Sequence, residues 1–183
     1  MTPFHLIPDA LTQAECAALI ALCAAQPMRD AGLVRASGDQ QIRRAEISWL
    51  DDLPQAAWVM DRMIGLTAQA NRESFHFDLT DFAESPQVAR YTAARAARFD
   101  WHSDIGSTPI AAKRKLTVVV QLSDPAEYQG GTLDLRPDST VHPSPTAQGS
   151  AIIFPAFTLH RVTPVTDGTR WSLTLWSHGP AFR

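Results

Sequence analysis

The stretch Leu116-Thr-Val-Val-Val-Gln-Leu122 carries two rows of side chains with different chemistry. Successive residues of a β-strand point to opposite faces, so one row is entirely apolar (Leu116, Val118, Val120, Leu122) and the other holds Thr117, Val119 and Gln121. The stretch Arg170–Ser177 alternates in the same way, with Trp171, Leu173 and Leu175 opposite Arg170, Ser172, Thr174 and Trp176. We expect the apolar rows to pack against helices and the polar rows to face the inside of a barrel. Because an unpaired buried polar group costs about 1–3 kcal/mol, a polar interior indicates a binding cavity.

Short strands of this kind fill the chain after Pro86. Nine of the thirteen prolines and six of the nine glycines lie from there to the end and separate the runs of β-forming residues. Short strands with turn signals between them are typical of a sandwich or barrel. The candidate strands are Gln87–Thr92, Phe99–His102, Leu116–Leu122, Gly131–Leu135, Ala151–Phe154 and Arg170–Ser177.

The first 75 residues or so have helical patterns instead. Thr12 and Glu15 form a capping box that opens a helix, which Pro27 must end. A second helix is predicted from Pro54 to about Asn71, with an apolar stripe of Val59, Met63, Leu66 and Ala70. Residues 29–41 are expected to form an exposed connection before a short strand, Ile42–Leu50. The predicted fold class is α+β, a jelly roll (double-stranded β-helix) with N-terminal helices packed on one face. One domain is expected over residues 1–183, with a helical part at about 1–75 and the jelly-roll core at about 86–178.

Composition excludes several classes of protein. The 183 residues are 45% hydrophobic and carry a formal charge of −3, which argues against disorder, a nucleic-acid partner and an anionic membrane surface. No apolar run reaches the length of a membrane span, and a basic region typical of a signal peptide is missing before Arg29. Cys16 and Cys23 lie about 10 Å apart on the first helix, too far for a disulfide, so a reduced, cytoplasmic protein is expected. The oligomeric state is left open.

A candidate metal site follows from three residues. His102 and Asp104 end a β-run, and residues i and i+2 of a strand point the same way. His160 follows the candidate strand Ala151–Phe154 after a short turn. Two histidines and one carboxylate with coordination positions left open form the facial triad of non-haem Fe(II) oxygenases. Arg170, ten residues after His160, opens an inward-facing strand, and a buried guanidinium is suited to binding a carboxylate.

Together these motifs resemble those of a known family. They are Tyr91, His102-x-Asp104, Leu122-Ser-Asp-Pro-Ala-Glu-Tyr-Gln-Gly-Gly-Thr-Leu133 and Phe154-Pro-Ala-Phe-Thr-Leu-His-Arg-Val-Thr-Pro-Val-Thr-Asp-Gly-Thr-Arg170. From about Gln87 to Trp176 the chain resembles the Fe(II)/2-oxoglutarate-dependent dioxygenases, specifically the prolyl 4-hydroxylase-like branch called PKHD-type hydroxylases.

The resemblance implies a role for each matching residue. His102, Asp104 and His160 would be the iron ligands, and Arg170 would bind the distal carboxylate of 2-oxoglutarate. Tyr91 would donate a hydroxyl hydrogen bond to the co-substrate. Gln121 would face the cavity where several relatives carry an aromatic residue, and Ser172 would assist Arg170. The implied cofactors are Fe(II), 2-oxoglutarate as co-substrate and O₂, with ascorbate as a candidate reductant.

The implied reaction is hydroxylation of an unactivated C–H bond, with conversion of 2-oxoglutarate to succinate and CO₂. The substrate is left open between a prolyl or other peptidyl residue and a small amino-acid-like metabolite. The segment Arg29–Arg44 is the expected lid or groove wall. Relatives continue further after the arginine-bearing strand than the thirteen residues present here, so elements that shape substrate access in them are expected to be absent. The alternative is a non-enzymatic jelly roll that binds a metal or a carboxylate as a sensor or docking module.

Overall fold

A computed structural model describes residues 4–31 and 43–182. It contains two α-helices, α1 (Gln13–Ala24) and α2 (Trp58–Ala70). Four strands come from the first third of the chain: β1 (His5–Ile7), β2 (Arg29–Asp30), β3 (Arg43–Arg44) and β4 (Glu46–Trp49). The others are β5 (Gln87–Thr92), β6 (Arg98–His102), β7 (Arg114–Gln121), β8 (Tyr128–Gly130), β9 (Leu133–Arg136), β10 (His142–Pro143), β11 (Ala151–Pro155), β12 (Leu159–Val162) and β13 (Val165–His178).

Helix α1 begins at the predicted capping box. Thr12 is the N-cap and its hydroxyl accepts a hydrogen bond from the Glu15 backbone N–H, while the Glu15 carboxylate accepts one from the Thr12 N–H. The same carboxylate pairs with Arg62 of α2 at 2.9 Å. The capping box therefore also links the two helices.

Helix α2 follows a short 3₁₀ turn at Pro54–Ala56, where proline is tolerated because the first helical N–H groups lack partners anyway. The predicted stripe is buried: Val59, Met63, Leu66 and Ala70 are all at most 8% exposed. A single π-helical turn, Asn71–Phe75, extends the helix beyond its predicted end. Within the described residues, neither helix is long and apolar enough to cross a membrane.

Two antiparallel sheets face each other as a jelly roll, which confirms the predicted fold class. The larger sheet has the order β1-β11-β7-β13-β5-β4-β2, with β8 also paired to β13, and the smaller has the order β10-β9-β12-β6-β3. The apolar row of β7 packs with both helices in one core, as predicted. A second core lies between the sheets and includes Tyr91, Phe99 and Phe154.

The structure also contains strands that the patterns did not predict. Strands β3 and β4 lie within the predicted strand Ile42–Leu50, but β1 and β2 were not predicted, and the four strands bring the N-terminal part into both sheets, so this part is not only helical. Strands β8, β10 and β12 were missed as well, and all three are two to four residues long. Such short strands show no clear alternation, and pairing with a long neighbour such as β13 determines them instead.

Candidate active site

The two histidines of the predicted triad lie on neighbouring strands of the smaller sheet. His102 is the last residue of β6 and His160 lies on β12, and the two are direct partners in the β6–β12 register. Asp104 follows β6 by two residues and turns towards both rings. One ligand atom from each residue can be chosen so that all three atoms lie within 4.8 Å of one another. The structure thus brings the three predicted residues together with the geometry of a metal-binding cluster.

Backbone carbonyls orient both imidazoles. His102 Nδ1 lies 2.7 Å from the Asp100 carbonyl oxygen, and His160 Nδ1 lies 2.9 Å from the Thr158 carbonyl oxygen. A carbonyl only accepts, so each Nδ1 carries the proton and each Nε2 presents a lone pair. The Nε2 atoms face the Asp104 carboxylate at 3.6 Å and 3.5 Å. His102 Nε2 is buried without a hydrogen-bond partner in the described part of the chain, as expected for an atom that coordinates a metal.

Asp104 is held from three sides. Its side chain accepts a 2.7 Å hydrogen bond from the Thr117 hydroxyl on β7. Its backbone N–H donates to the Ala156 carbonyl at 2.9 Å, and its backbone carbonyl accepts from Arg114 Nη1 at 2.9 Å. Arg114 in turn pairs with Glu84 and lies over the Trp176 ring. These contacts fix the position of the carboxylate before any ligand binds.

The electrostatics of the cluster suit metal binding. Burial, together with the neighbouring His160, lowers the pKa of His102 to about 3, so this ring is neutral at physiological pH, as a ligand must be. Burial alone would raise the pKa of Asp104. The nearby His160 and His102 and the hydrogen bond from Thr117 outweigh that effect and lower it, so the carboxylate is ionised.

Arg170 lies inside the barrel, as predicted. It is 1% exposed and is paired in register with Tyr91, whose ring centroid is 5.4 Å from the guanidinium carbon. Its Nη2 donates to Gln121 Oε1 at 2.8 Å. Its Nε and Nη1 are buried and have no partner among the described residues. Because an unpaired buried charge is unfavourable, the free side of this guanidinium indicates a site for an anion.

One cavity connects the histidine–aspartate cluster with Arg170. Its wall includes the polar row of β13 (Arg170, Ser172, Thr174, Trp176) together with Thr117 and Tyr91, as the alternation of the two strands predicts. Gln121 is not part of this lining; it accepts the hydrogen bond from Arg170 and donates to the Pro145 carbonyl at 3.2 Å. The cavity therefore brings together a set of candidate metal ligands and a guanidinium with two nitrogens that have no partner among the described residues.

Gly131 packs directly against Arg170. Its φ is +61°, a left-handed conformation that favours glycine, and a Cβ at this position would lie 3.0 Å from Arg170 Cδ. A side chain here would push against the stem of the arginine. The Gly130-Gly131 turn thus helps to position the guanidinium.

Two side chains and one segment near the site remain to be located: Trp101, His178 and the predicted lid. Trp101 does not line the cavity, and the guanidinium carbons of Arg136 and Arg161 lie 4.8 Å and 4.7 Å from the centroid of its ring. His178 is outside the cavity lining and bonds to Glu84 at 3.0 Å. The predicted lid, Arg29–Arg44, falls largely on residues 32–42, outside the described residues.

Sequence reasoning gave no role to Thr117, Arg114 or Arg43. Thr117 belonged to the predicted polar row, but its contact with Asp104 joins β7 of the larger sheet to the segment after β6 of the smaller sheet, and the sequence does not show how the two sheets face each other. Arg114 and Arg43 carried no local signal, because their partners Glu84 and Gln87 are distant in sequence.

Comparison with known proteins agrees with this geometry. The profile of the 2OG-Fe(II) oxygenase superfamily matches residues 86–178. A PKHD-type hydroxylase of Caulobacter sp. (strain K31) is 30% identical over 173 residues, which cover 93% of this chain and 75% of that protein. A second, from Delftia acidovorans, is 41% identical over 75 residues, and that match spans 40% of this chain and 33% of the Delftia protein.

Among solved structures, a Pseudomonas putida prolyl-4-hydroxylase superposes with a TM-score of 0.76 at 22% identity. The superposition covers 96% of this chain and 92% of the other, so the two share a fold. The profile match over residues 86–178 and the Caulobacter relative, which covers 93% of this chain, show the family: the chain belongs to the 2OG-Fe(II) oxygenase superfamily and, within it, to the PKHD-type hydroxylases.

Proposed function

We propose that the cavity holds Fe(II) and 2-oxoglutarate and that the protein hydroxylates a C–H bond of its substrate. His102, Asp104 and His160 would bind the iron, and Arg170 would bind the distal carboxylate of 2-oxoglutarate. With both bound, the iron supplies the O₂-dependent oxidation that converts 2-oxoglutarate to succinate and CO₂ and inserts a hydroxyl group.

The protein's own residues position the reactants. The Asp100 and Thr158 carbonyls hold the imidazole rings so that both Nε2 lone pairs face one point. Thr117 fixes one carboxylate oxygen of Asp104, which keeps that oxygen from rotating away from the cluster. Gln121 orients Arg170, leaving Nε and Nη1 to donate to the co-substrate. Tyr91 and Ser172 line the same wall and would complete the binding of 2-oxoglutarate.

The observation that carries this proposal is the pairing of two features in one cavity. A set of metal-binding side chains alone would suit many functions, and a buried arginine alone could have a structural role. Here a two-histidine, one-carboxylate cluster lines the same cavity as a guanidinium with two nitrogens that have no partner among the described residues. This combination suits a metal chelator that ends in a second carboxylate.

The proposed substrate is a prolyl or other peptidyl residue, or a small amino-acid-like metabolite. The fold shared with a prolyl-4-hydroxylase supports the first class. The buried side chains that line the cavity, such as Arg170, Asp104 and His160, support the second, because a small ligand is typically held in a concave pocket by a few polar groups.

Succinate formation tests the proposal. Purified protein is mixed with Fe(II), 2-oxoglutarate, O₂ and ascorbate, and succinate is measured by mass spectrometry along with any +16 Da product. We expect succinate from the natural chain and a fall of about 100-fold or more in His102→Ala and Asp104→Ala, since removal of a directly acting group has effects of this size. His142→Ala is the matched control, because His142 lies on the edge strand β10.

The outcome also separates enzyme from sensor. Fe(II)-dependent binding of 2-oxoglutarate without any succinate would favour the sensor or docking module. Succinate formation that does not depend on His102, Asp104, His160 or Arg170 would contradict the proposed site.

A further inference from the structure

A second arginine, Arg43, faces the same cavity from the opposite wall. It lies on β3, the edge strand of the smaller sheet, paired in register with Phe99 of β6. Its guanidinium reaches across to the larger sheet, where Nη2 donates to Gln87 Oε1 at 2.9 Å. Arg43 therefore bridges the two sheets and lines the cavity beside the candidate metal ligands.

Arg43 is close to the metal ligands. Its guanidinium carbon lies 4.8 Å from the centroid of the Phe99 ring, and that ring stacks on His102 with the centroids 3.4 Å apart. One aromatic ring thus separates the charge of Arg43 from an iron ligand. A group bound by Arg43 would lie next to the reacting centre.

The hydrogen-bonding capacity of Arg43 is not used up by the protein. Within residues 4–31 and 43–182, Arg43 donates to one side chain, the neutral amide of Gln87, and its Nε is buried without a partner. Arginines elsewhere pair with acids, as Arg62 does with Glu15, Arg90 with Glu46 and Arg161 with Asp134. No carboxylate of the described residues lies within ion-pair distance of Arg43.

The charges of the loaded site leave Arg43 uncompensated. Under the proposed function, the divalent cation and Arg170 are balanced by Asp104 and by the two carboxylates of 2-oxoglutarate. Arg43, which is partly buried, then carries the remaining positive charge, and its buried Nε lacks a partner among the described residues. A third carboxylate, brought by the substrate, would neutralise it with the bidentate geometry that guanidinium favours.

We infer that Arg43 binds a carboxylate of the substrate, so the protein hydroxylates a molecule that carries a free carboxylate near the oxidised carbon. This inference rests on the proposed function and narrows its substrate class. The carboxylate can be the terminal group of an amino acid or peptide, or an acidic side chain.

Matched probe pairs separate these two sources. N-acetyl-L-proline and its amide differ only in the terminal carboxylate. N-acetyl-L-glutamic acid α-amide and N-acetyl-L-glutamine α-amide differ only in the side-chain carboxylate. Each probe is titrated under anaerobic conditions into protein loaded with Fe(II) and 2-oxoglutarate, and its Kd is read by calorimetry and from the visible absorption of the iron chelate, so that turnover is not needed.

We expect at least one acid to bind about tenfold or more tightly than its amide, the size of a charge-assisted hydrogen bond. Arg43→Met should remove this preference, bringing acid and amide to within about twofold, and Arg43→Lys should keep part of it. Arg44→Met is the matched control, since Arg44 is the next residue on β3 and is exposed. It should bind both probes as the natural chain does.

Three results would overturn the inference while leaving the proposed function intact. The first is equal binding of each acid and its amide, which includes no binding of either acid up to about 10 mM. The second is a preference for the acid that survives Arg43→Met. The third is a loss of about tenfold or more in 2-oxoglutarate affinity in Arg43→Met, which would assign Arg43 to the co-substrate. Failure of the natural chain to bind 2-oxoglutarate at all would overturn the proposed function and this inference with it. Melting temperatures of the variants control for misfolding.

Discussion

Asp104 and Arg170 are both buried charges, but they differ in how the protein itself satisfies them. Asp104 has partners in place, with the Thr117 hydroxyl on its carboxylate and two imidazoles beside it. Arg170 has one neutral partner, Gln121, and two nitrogens without any in the described chain. The first group is organised in advance for a cation, and the second depends on a ligand for its full complement of hydrogen bonds.

Replacing Thr117 tests how far the carboxylate is organised in advance. Thr117→Val keeps the shape of the side chain but removes the donor to Asp104 Oδ2. We expect the affinity for Fe(II), or for Mn(II) as a redox-stable probe, to fall about 10- to 100-fold, the usual cost of losing a hydrogen bond to a metal ligand. Thr174→Val is the control, since Thr174 lines the same cavity on β13. Equal metal affinity in the two variants would show that Thr117 does not support the ligand.

Arg170→Lys tests the co-substrate role of the guanidinium. Lysine keeps the charge but loses the planar pair of donors, so we expect the Kd of 2-oxoglutarate to rise about 10- to 100-fold. The Kd of the metal should change much less, because Arg170 contacts none of the three proposed ligands. Arg90→Lys, on the neighbouring strand β5, is the control for substitution in the sheet. An unchanged Kd for 2-oxoglutarate in Arg170→Lys would contradict the role.

At the scale of elements, long strands could be predicted from the sequence and short ones could not. Strand β5 has the predicted bounds, and β7 and β13 have the predicted inner and outer faces. Alternation over seven or more residues carries this information by itself. Strand β12 has only four residues, so its register depends on pairing with β6 and β9. His160 was therefore predicted as a ligand from the set of two histidines and one carboxylate and from the family motif, without the strand that holds it.

The first helix and its capping residue give a pH-dependent prediction. The backbone N–H of Thr12 is the main cause that lowers the pKa of Glu15, and Arg62 and the Thr12 hydroxyl add to it. A carboxyl with a lowered folded-state pKa contributes stability above its unfolded value of 4.5, and that contribution is lost as the pH falls through the folded-state pKa. Glu15→Gln keeps the capping hydrogen bond but cannot ionise.

We therefore expect the natural chain to be more stable than Glu15→Gln at neutral pH and the difference to disappear in acid. Urea unfolding followed by circular dichroism at several pH values measures it. Glu127→Gln, at an exposed position, is the control and should show no such pH dependence. A stability difference that stays constant down to the acid range would mean that the charge of Glu15 is not involved.

At the scale of the whole molecule, the two helices and the larger sheet share one core. Cys16 and Cys23 of α1 are fully buried in it as free thiols, together with Val118 of β7 and Leu173 of β13. Burial raises the pKa of Cys16 to about 11 and also raises that of Cys23. Neither thiol is accessible or ionised at pH 8 unless the helix leaves the sheet.

Thiol labelling should thus report opening of the whole core. We expect both cysteines to react with an aromatic disulfide reagent at pH 8 at least about 100-fold more slowly in the native protein than in urea. The two should become reactive together as urea is increased, at the midpoint seen by circular dichroism. Rapid labelling of either cysteine without denaturant would show that α1 detaches independently of the sheet.

The pairing of β1 with β11 has a consequence for synthesis of the chain. His5 lies opposite Ile153, so β1 finds its partner only after the roughly 145 residues between the two strands have been translated. Pairings between such distant segments form slowly, because loop closure must precede the contact. The larger sheet therefore cannot be completed while the N-terminal half emerges, and its closure must wait until β11 has left the ribosome.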